Sequence, residues 1–418
     1  MREEGITPMT AHRRTFPAAR LATMAGALGV LFAAGPAALL APAIGEDARA
    51  SLPAPPPDGT MGFVVSEFVQ PIVPGSDSCP DGPVLKMRDI YLESLPPEER
   101  ARLKRKENEK ELDRLWQLTA FGKDGSTNVC SQPDLFDRPL QRTLKSPLAW
   151  GLDLDGGTAG EEGCGHEEFA TPDGQSGIDN QEYRVNGCKL EWRGLDGMPS
   201  DNSVGMKQFM ASGEWTQVLL LRGVDSLQND PEVEVIYANT PDRPMIDSRG
   251  TWLKGATFTI STTPPRNRNV LKGRIEHGVL TTEPADIQLT QTWGQGGARD
   301  IRGNRTKWHY VKGRLRLTFQ ADGSLRGMLG GYRPLFDVIA SPAIGGAGAA
   351  LTAGIDCAGE LKTLRKYADG LRNPKTGQCE GISGTQRITA IPAYVNDVAP
   401  ADAVRTASQG PAMQGKTR

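Results

Sequence analysis

"RLRLTFQADGSLRGML" (residues 314–329) sets Leu315, Leu317 and Phe319 on one side of an extended chain and arginines or threonine on the other. It then turns at Ala-Asp-Gly-Ser into a second run. Side chains of a strand alternate between two faces, so a period of two with one apolar set describes a strand with one dry and one wet face. "EVEVIYAN" (232–239) and "ATFTIST" (256–262) alternate in the same way, and "EWTQVLLLRG" (214–223) carries a continuous apolar run. "VLKGRIEHGVLTTEP" (270–284) shares a Lys-Gly-Arg, strand, turn, strand outline with residues 311–327. Half-wet strands favour antiparallel pairing. The expectation is a mainly β (α+β overall) fold, built as an antiparallel β-sandwich or partly open barrel.

Outward from these strands the chain divides by composition. Residues 1–50 read as a signal peptide: Arg13, Arg14 and Arg20 precede an Ala/Leu/Gly-rich run from Leu21 to Ile44, and small residues follow at cleavage spacing. "RRTF" (13–16) matches the core of a twin-arginine signal, with an ordinary secretory signal or an uncleaved anchor as alternatives. Residues 51–60 form a Pro-rich linker. Residues 61–150 hold a strand, "MGFVVSEFVQPIVP" (61–74), and a charged helix over 96–121 whose apolar face carries Leu112, Leu115 and Trp116. Residues 151–340 hold an acidic loop and the β-rich domain. Residues 341–397 read as a small disulfide-closed helical module with a Gly/Pro-rich return, and 398–418 as a disordered tail. After the signal no apolar run approaches the ~20 residues that span a bilayer, so no stable transmembrane segment is expected.

Six cysteines follow the signal: Cys79, Cys130, Cys164, Cys188, Cys357 and Cys379. An even count in an exported chain points to three disulfides, and pairing between sequence neighbours (79–130, 164–188, 357–379) is the simplest expectation. The destination is the periplasm, the medium or the cell envelope. Overall charge is nearly balanced, 48 Lys and Arg against 50 Asp and Glu, so no nucleic-acid signature exists. Locally charge is segregated. Residues 243–320 hold 14 Lys and Arg against 5 Asp and Glu. That stretch suits an anionic polysaccharide or envelope component, or it faces the acidic loop. Seven tryptophans could include a sugar-stacking platform, though core positions account for most.

The acidic loop opens the segment 151–183, which carries nine Asp or Glu and no Lys or Arg. Asp153-Leu154-Asp155-Gly156 places two carboxylates at i and i+2 before a glycine, as calcium loops do, and "PDGQSGIDNQ" (172–181) adds Asp173, Asp179 and Asn180. With "FVVSEF" at 63–68, "GLDLDG" at 151–156 and "IDNQ" at 178–181, the chain resembles exported bacterial proteins of uncharacterised activity that carry a GLDLDG…IDNQ motif. That resemblance implies a calcium-type loop and no particular activity. Here an insertion separates the two halves. The expected Ca2+ ligands are Asp153, Asp155, Asp173, Asp179 and Asn180. His166, with Glu167 and Glu168, is the alternative metal or catalytic corner.

Serine-hydrolase elbows, phosphate-binding loops and dinucleotide fingerprints do not occur. The resulting expectation is an exported, non-catalytic binding or structural protein stabilised by disulfides and calcium. The alternative is an exported hydrolase, either metal-assisted or a carboxylate-pair glycoside hydrolase.

Overall fold

The computed structural model describes residues 52–75, 78–157, 163–194, 200–262, 267–292, 305–340 and 346–398. The signal expected over 1–50, and all of the expected tail after Val398, lie outside them. Within the described residues one sheet of eleven strands dominates. They are β1 (Met61–Val69), β2 (Gln217–Arg222), β3 (Asn229–Asn239), β4 (Thr257–Thr259), β5 (Arg268–Glu276), β6 (Val279–Thr282), β7 (Ala285–Thr292), β8 (Arg305–Phe319), β9 (Leu325–Pro334), β10 (Gly370–Arg372) and β11 (Cys379–Asn396).

The strands β1, β2, β3, β5, β6, β8, β9 and β11 pair antiparallel in that order. β11 then pairs back onto β1, from Gly62↔Ala393 to Val69↔Arg387, so the path closes on itself. β4 joins β11 in parallel, β7 joins β8, and β10 joins β11, which keeps the closed sheet from being a regular barrel. The mainly β, antiparallel expectation holds. Closure leaves few free strand edges. It also places β1, from the N-terminal region, beside β11, from the C-terminal one, so the regions separated by composition share one sheet.

Two local features explain the irregularity. Pro284 has no N–H to give a ladder and separates β6 from β7. Beyond the break, Asn269 of β5 replaces the ladder with its side chain, accepting from Gln288 N at 2.8 Å and donating to Gln288 O at 2.9 Å. In β8 the register slips between Val311 and Arg314, and Lys312 has φ +52°. One extra residue inverts the alternation. Trp308 and Tyr310 are therefore buried before the bulge, and Leu315, Leu317 and Phe319 after it. Phe68 meets Trp215 and Trp308 edge-on at 4.9 and 5.5 Å between ring centroids, and Trp215 lies 5.0 Å from Trp308. Trp116, Trp215, Trp252 and Trp308 are all buried, which removes them from any exposed sugar platform.

The helices are α1 (Met87–Glu93), α2 (Pro97–Leu103), α3 (Glu109–Leu118), α4 (Gln181–Asn186), α5 (Leu190–Arg193), α6 (Asp201–Ala211), α7 (Leu335–Val338), α8 (Ala347–Thr352) and α9 (Cys357–Lys366). The single helix expected over 96–121 is two, α2 and α3, joined through a 3-10 turn at Lys106–Asn108. Arg102 bridges the corner by forking onto Glu99 and Glu111, and Asn108 Nδ2 donates to Arg102 O at 2.7 Å. The charge alternation along the segment thus holds a bend. Leu103, Leu112 and Trp116 still bury one face, against Met87, Val129 and Ala358. Among the described residues no helix is long and apolar enough to cross a membrane.

The neighbour pairing of cysteines is overturned. The disulfides are Cys79–Cys188, Cys130–Cys357 and Cys164–Cys379, spanning 109, 227 and 215 residues. A bridge needs Cα atoms about 4.4–6.8 Å apart, and the closed sheet brings distant segments, not sequence neighbours, to that range: 5.8, 4.9 and 6.0 Å. The C-terminal region is accordingly not a module closed on itself. Cys357 ties α9 to the N-terminal helices, and Cys379 ties the start of β11 to the acidic loop.

Candidate metal centre

Local hydrogen bonds shape the acidic loop. Asp153 Oδ1 accepts from Gly156 N at 2.6 Å and Gly157 N at 3.1 Å, and Asp155 Oδ1 accepts from Gly157 N at 2.9 Å. Gly156 and Gly157 stand at φ +85° and +69°, a conformation that disfavours side chains with a Cβ. The intervening leucines face the other way. Leu152 and Leu154 are buried against Tyr332, Met328 and Leu371, and Leu152 fills the space left by Gly330 of β9. The loop therefore lies on the face of β9 opposite Leu325 and Leu329, which point into the main core.

"IDNQ" comes to the same place despite the insertion. Leu152 forms an isolated antiparallel bridge with Asp179, and Phe169 forms one with Ile178. Each residue of the motif has a separate task. Ile178 joins the apolar cluster of Leu144, Ala149 and Tyr183. Asn180 caps α4 by accepting from Tyr183 N, and its Nδ2 donates to Trp150 O at 2.8 Å. Gln181 Nε2 donates to Glu167 O at 2.6 Å, pinning the preceding segment next to His166. Asp179 is fully buried; its Oδ2 accepts from Leu154 N at 2.6 Å and its Oδ1 stands 2.6 Å from His166 Nε2.

The donor atoms of Asp155, His166 and Asp179 lie within 4.8 Å of one another. The cluster merges the two sites that the sequence suggested as rivals, taking two carboxylates from the calcium set and the imidazole from its alternative. The other expected residues are not part of this three-residue group. Asp173 is exposed and accepts from Thr171 Oγ1. Asn180 is committed to its cap, and Asp153 to the glycine turn. Glu167 is 88% exposed, 3.9 Å from Arg184, and Glu168 is exposed.

Three surrounding residues carried no sequence signal. Asp369, between α9 and β10, is fully buried, with Ser383 N and Ser383 Oγ both donating to it at 2.6 Å. Burial pushes its carboxyl up to about 7, against the Ser383 hydrogen bonds and the positive field of His166. Tyr332 of β9 is buried and its hydroxyl has no hydrogen-bond partner; burial first, then the charges of Asp179, Asp369 and Asp155, raise its pKa far above the ordinary value. Arg314, from the basic stretch, donates to Asp153 O and Leu154 O, each at 3.0 Å. Burial alone would depress the imidazole of His166. The bond to Asp179 and the charges of Asp369 and Asp179 outweigh that and raise it to about 9.

Distant partners also answer part of the charge excess of the segment 151–183. Glu182 pairs with Arg333 and Glu167 approaches Arg184. Around His166 stand the carboxyls of Asp155, Asp179 and Asp369, with the imidazole and the Arg314 guanidinium as the nearby bases.

Calcium fits this donor set poorly. It takes six to eight oxygens, and of its five expected ligands Asp155 and Asp179 join His166 in the cluster, while Asp153 shares the Gly157 N–H with Asp155. One imidazole nitrogen with carboxylate oxygens suits a first-row transition ion such as zinc or manganese. Fold and site together define a disulfide-stapled, mainly β protein with a His/carboxylate cluster on the outer face of its closed sheet. No protein-family model, curated protein or solved structure matches the chain.

Proposed function

We propose that the chain is an exported, non-catalytic binding or structural protein of the periplasm or cell envelope, in which a divalent cation held by Asp155, His166 and Asp179 fastens the acidic loop to the closed sheet. The convergence of those three side chains carries the reading. The Cys164–Cys379 bridge supports it, because it ties the chain to β11 two residues before His166. Covalent and ionic staples then hold one loop at one place. Three disulfides agree with an oxidising compartment.

A structural role is favoured over the hydrolase alternative by burial. The side chains of His166 and Asp179 are 3% and 0% exposed, and a general base must reach the proton it abstracts.

The test is metal analysis of the oxidised chain after dialysis against zinc, manganese or calcium, alongside thermal melts with and without chelator. About one equivalent of zinc or manganese is expected, with a chelator-sensitive rise in melting temperature that is absent in Asp179→Asn and His166→Gln. Calcium retained in place of both would return the site to an all-oxygen set. No retained metal would remove the cation from this reading.

A further inference from the structure

A separate cavity of about 670 Å³ lies between the closed sheet and the helices. Its walls include Gln291, Trp308 and Arg333 from β7, β8 and β9, and residues of α1, α4, α5, α6 and α9. That volume is in the range of small-molecule sites, about 300–1,000 Å³.

The lining holds seven acidic side chains and five basic ones. Four of the bases are hydrogen-bonded to a carboxylate of the same wall: Lys86 to Glu191, Arg142 to Glu93, Lys189 to Glu360 and Arg333 to Glu182. The fifth, Arg138, donates to the Thr119 carbonyl and stands 3.6 Å from Asp356. Asp356 thus faces Arg138 at ion-pair distance without a hydrogen bond from it. Its side chain is 8% exposed, and its Oδ1 is buried without a hydrogen-bond partner. Burial holds its carboxyl above the ordinary range, against the charge of Arg138 and the backbone N–H groups of Gly359 and Ala358. Tyr91, Trp192 and Trp308 supply aromatic surface to the same cavity.

We infer that this cavity binds a small organic cation, an amine on an aromatic or apolar body, whose ammonium group pairs with Asp356. A buried carboxylate with an unfilled oxygen attracts a cationic donor, and aromatic faces favour the same charge while accepting the apolar body. A carboxylate on the same body would meet a wall in which acids outnumber bases. The inference rests on the reading of the chain as a binding protein and does not use the metal centre.

Calorimetric titration of the oxidised full-length chain with tryptamine and with indole-3-acetate compares a cation and an anion on one aromatic body. Tryptamine is expected to bind at least tenfold more tightly. Asp356→Asn should weaken it tenfold or more with the folded spectrum kept, and Trp192→Ala should weaken it several-fold, which serves if the first variant does not fold. Absence of tryptamine binding, equal binding of the two probes, or unchanged affinity in either folded variant would overturn the inference. Metal content measured on the same samples separates the readings. Tryptamine bound to chelator-treated protein supports the cavity even where the metal reading fails, and retained metal without tryptamine binding overturns the cavity alone.

Discussion

Arg333 of β9 and Glu182 of α4 form an ion pair 151 residues apart in sequence, with side chains 3% and 0% exposed. The guanidinium also lies over the Trp308 ring at 4.6 Å. Removing one member of such a pair strands a buried charge, which costs about 3–5 kcal/mol, whereas replacing both with apolar groups is often near neutral. Denaturant melts should show Glu182→Gln destabilised by about that amount. Glu182→Leu combined with Arg333→Met should recover more than half of the loss. A double variant no better than the single would show that the pair is not the main cost.

Gly327 of β9 faces Leu317 of β8. A Cβ at Gly327 would stand 1.9 Å from Arg316 O and 2.9 Å from Leu317 Cα, so only backbone movement could admit it. Gly327→Ala should cost upwards of about 2 kcal/mol or abolish soluble expression, by the strain of overpacking. Gly205 in α6 has open space around it and an unexceptional φ. Gly205→Ala should therefore stabilise by about 0.5–1 kcal/mol through helix propensity. Equal effects at the two sites would contradict the close approach of β8 and β9.

Peptide mapping without reduction should recover Cys79 with Cys188, Cys130 with Cys357, and Cys164 with Cys379. Each bridge closes a loop of more than a hundred residues. Replacing both members of Cys130–Cys357 by alanine should cost about 2–5 kcal/mol. Recovery of neighbour-linked peptides would contradict the arrangement of the closed sheet.

Burial, with Glu360 adding to it and Arg138 opposing it, raises the Asp356 carboxyl above its unfolded value. The folded state then binds this proton more tightly than the unfolded chain. The resulting stabilisation is fully present below the ordinary carboxylate range near 4, and is lost as pH rises through the raised value. Asp356→Asn cannot titrate. Its melting temperature relative to wild type should therefore climb as pH goes from about 4 to 7, and a difference independent of pH would refute the assignment.

Alternation made the half-wet strands legible. Leu315, Leu317 and Phe319 report their face through local spacing alone, and so do Val233 and Val235. The longest strand, β11, escaped because "CEGISGTQRITAIPAYVN" is dry on both faces for much of its length and lacks a period. In the His/carboxylate cluster, Asp155 and Asp179 were legible through their glycine-bounded motifs. His166 was legible only as a rival, since nothing linear says that Nε2 reaches Asp179.

The sequence by itself determined the antiparallel β class, the six oxidisable cysteines and the acidic segment from which Asp155 and Asp179 come. Those properties follow from composition and short-range spacing. Tertiary structure alone decided the closure of β11 onto β1, the three long-range disulfides, the union of His166 with Asp155 and Asp179, and the placement of Asp369 and Tyr332 around them. Each depends on distances between segments far apart in sequence, as Gly62 and Ala393 are. Such distances are set by how the sheet closes, which no local pattern encodes.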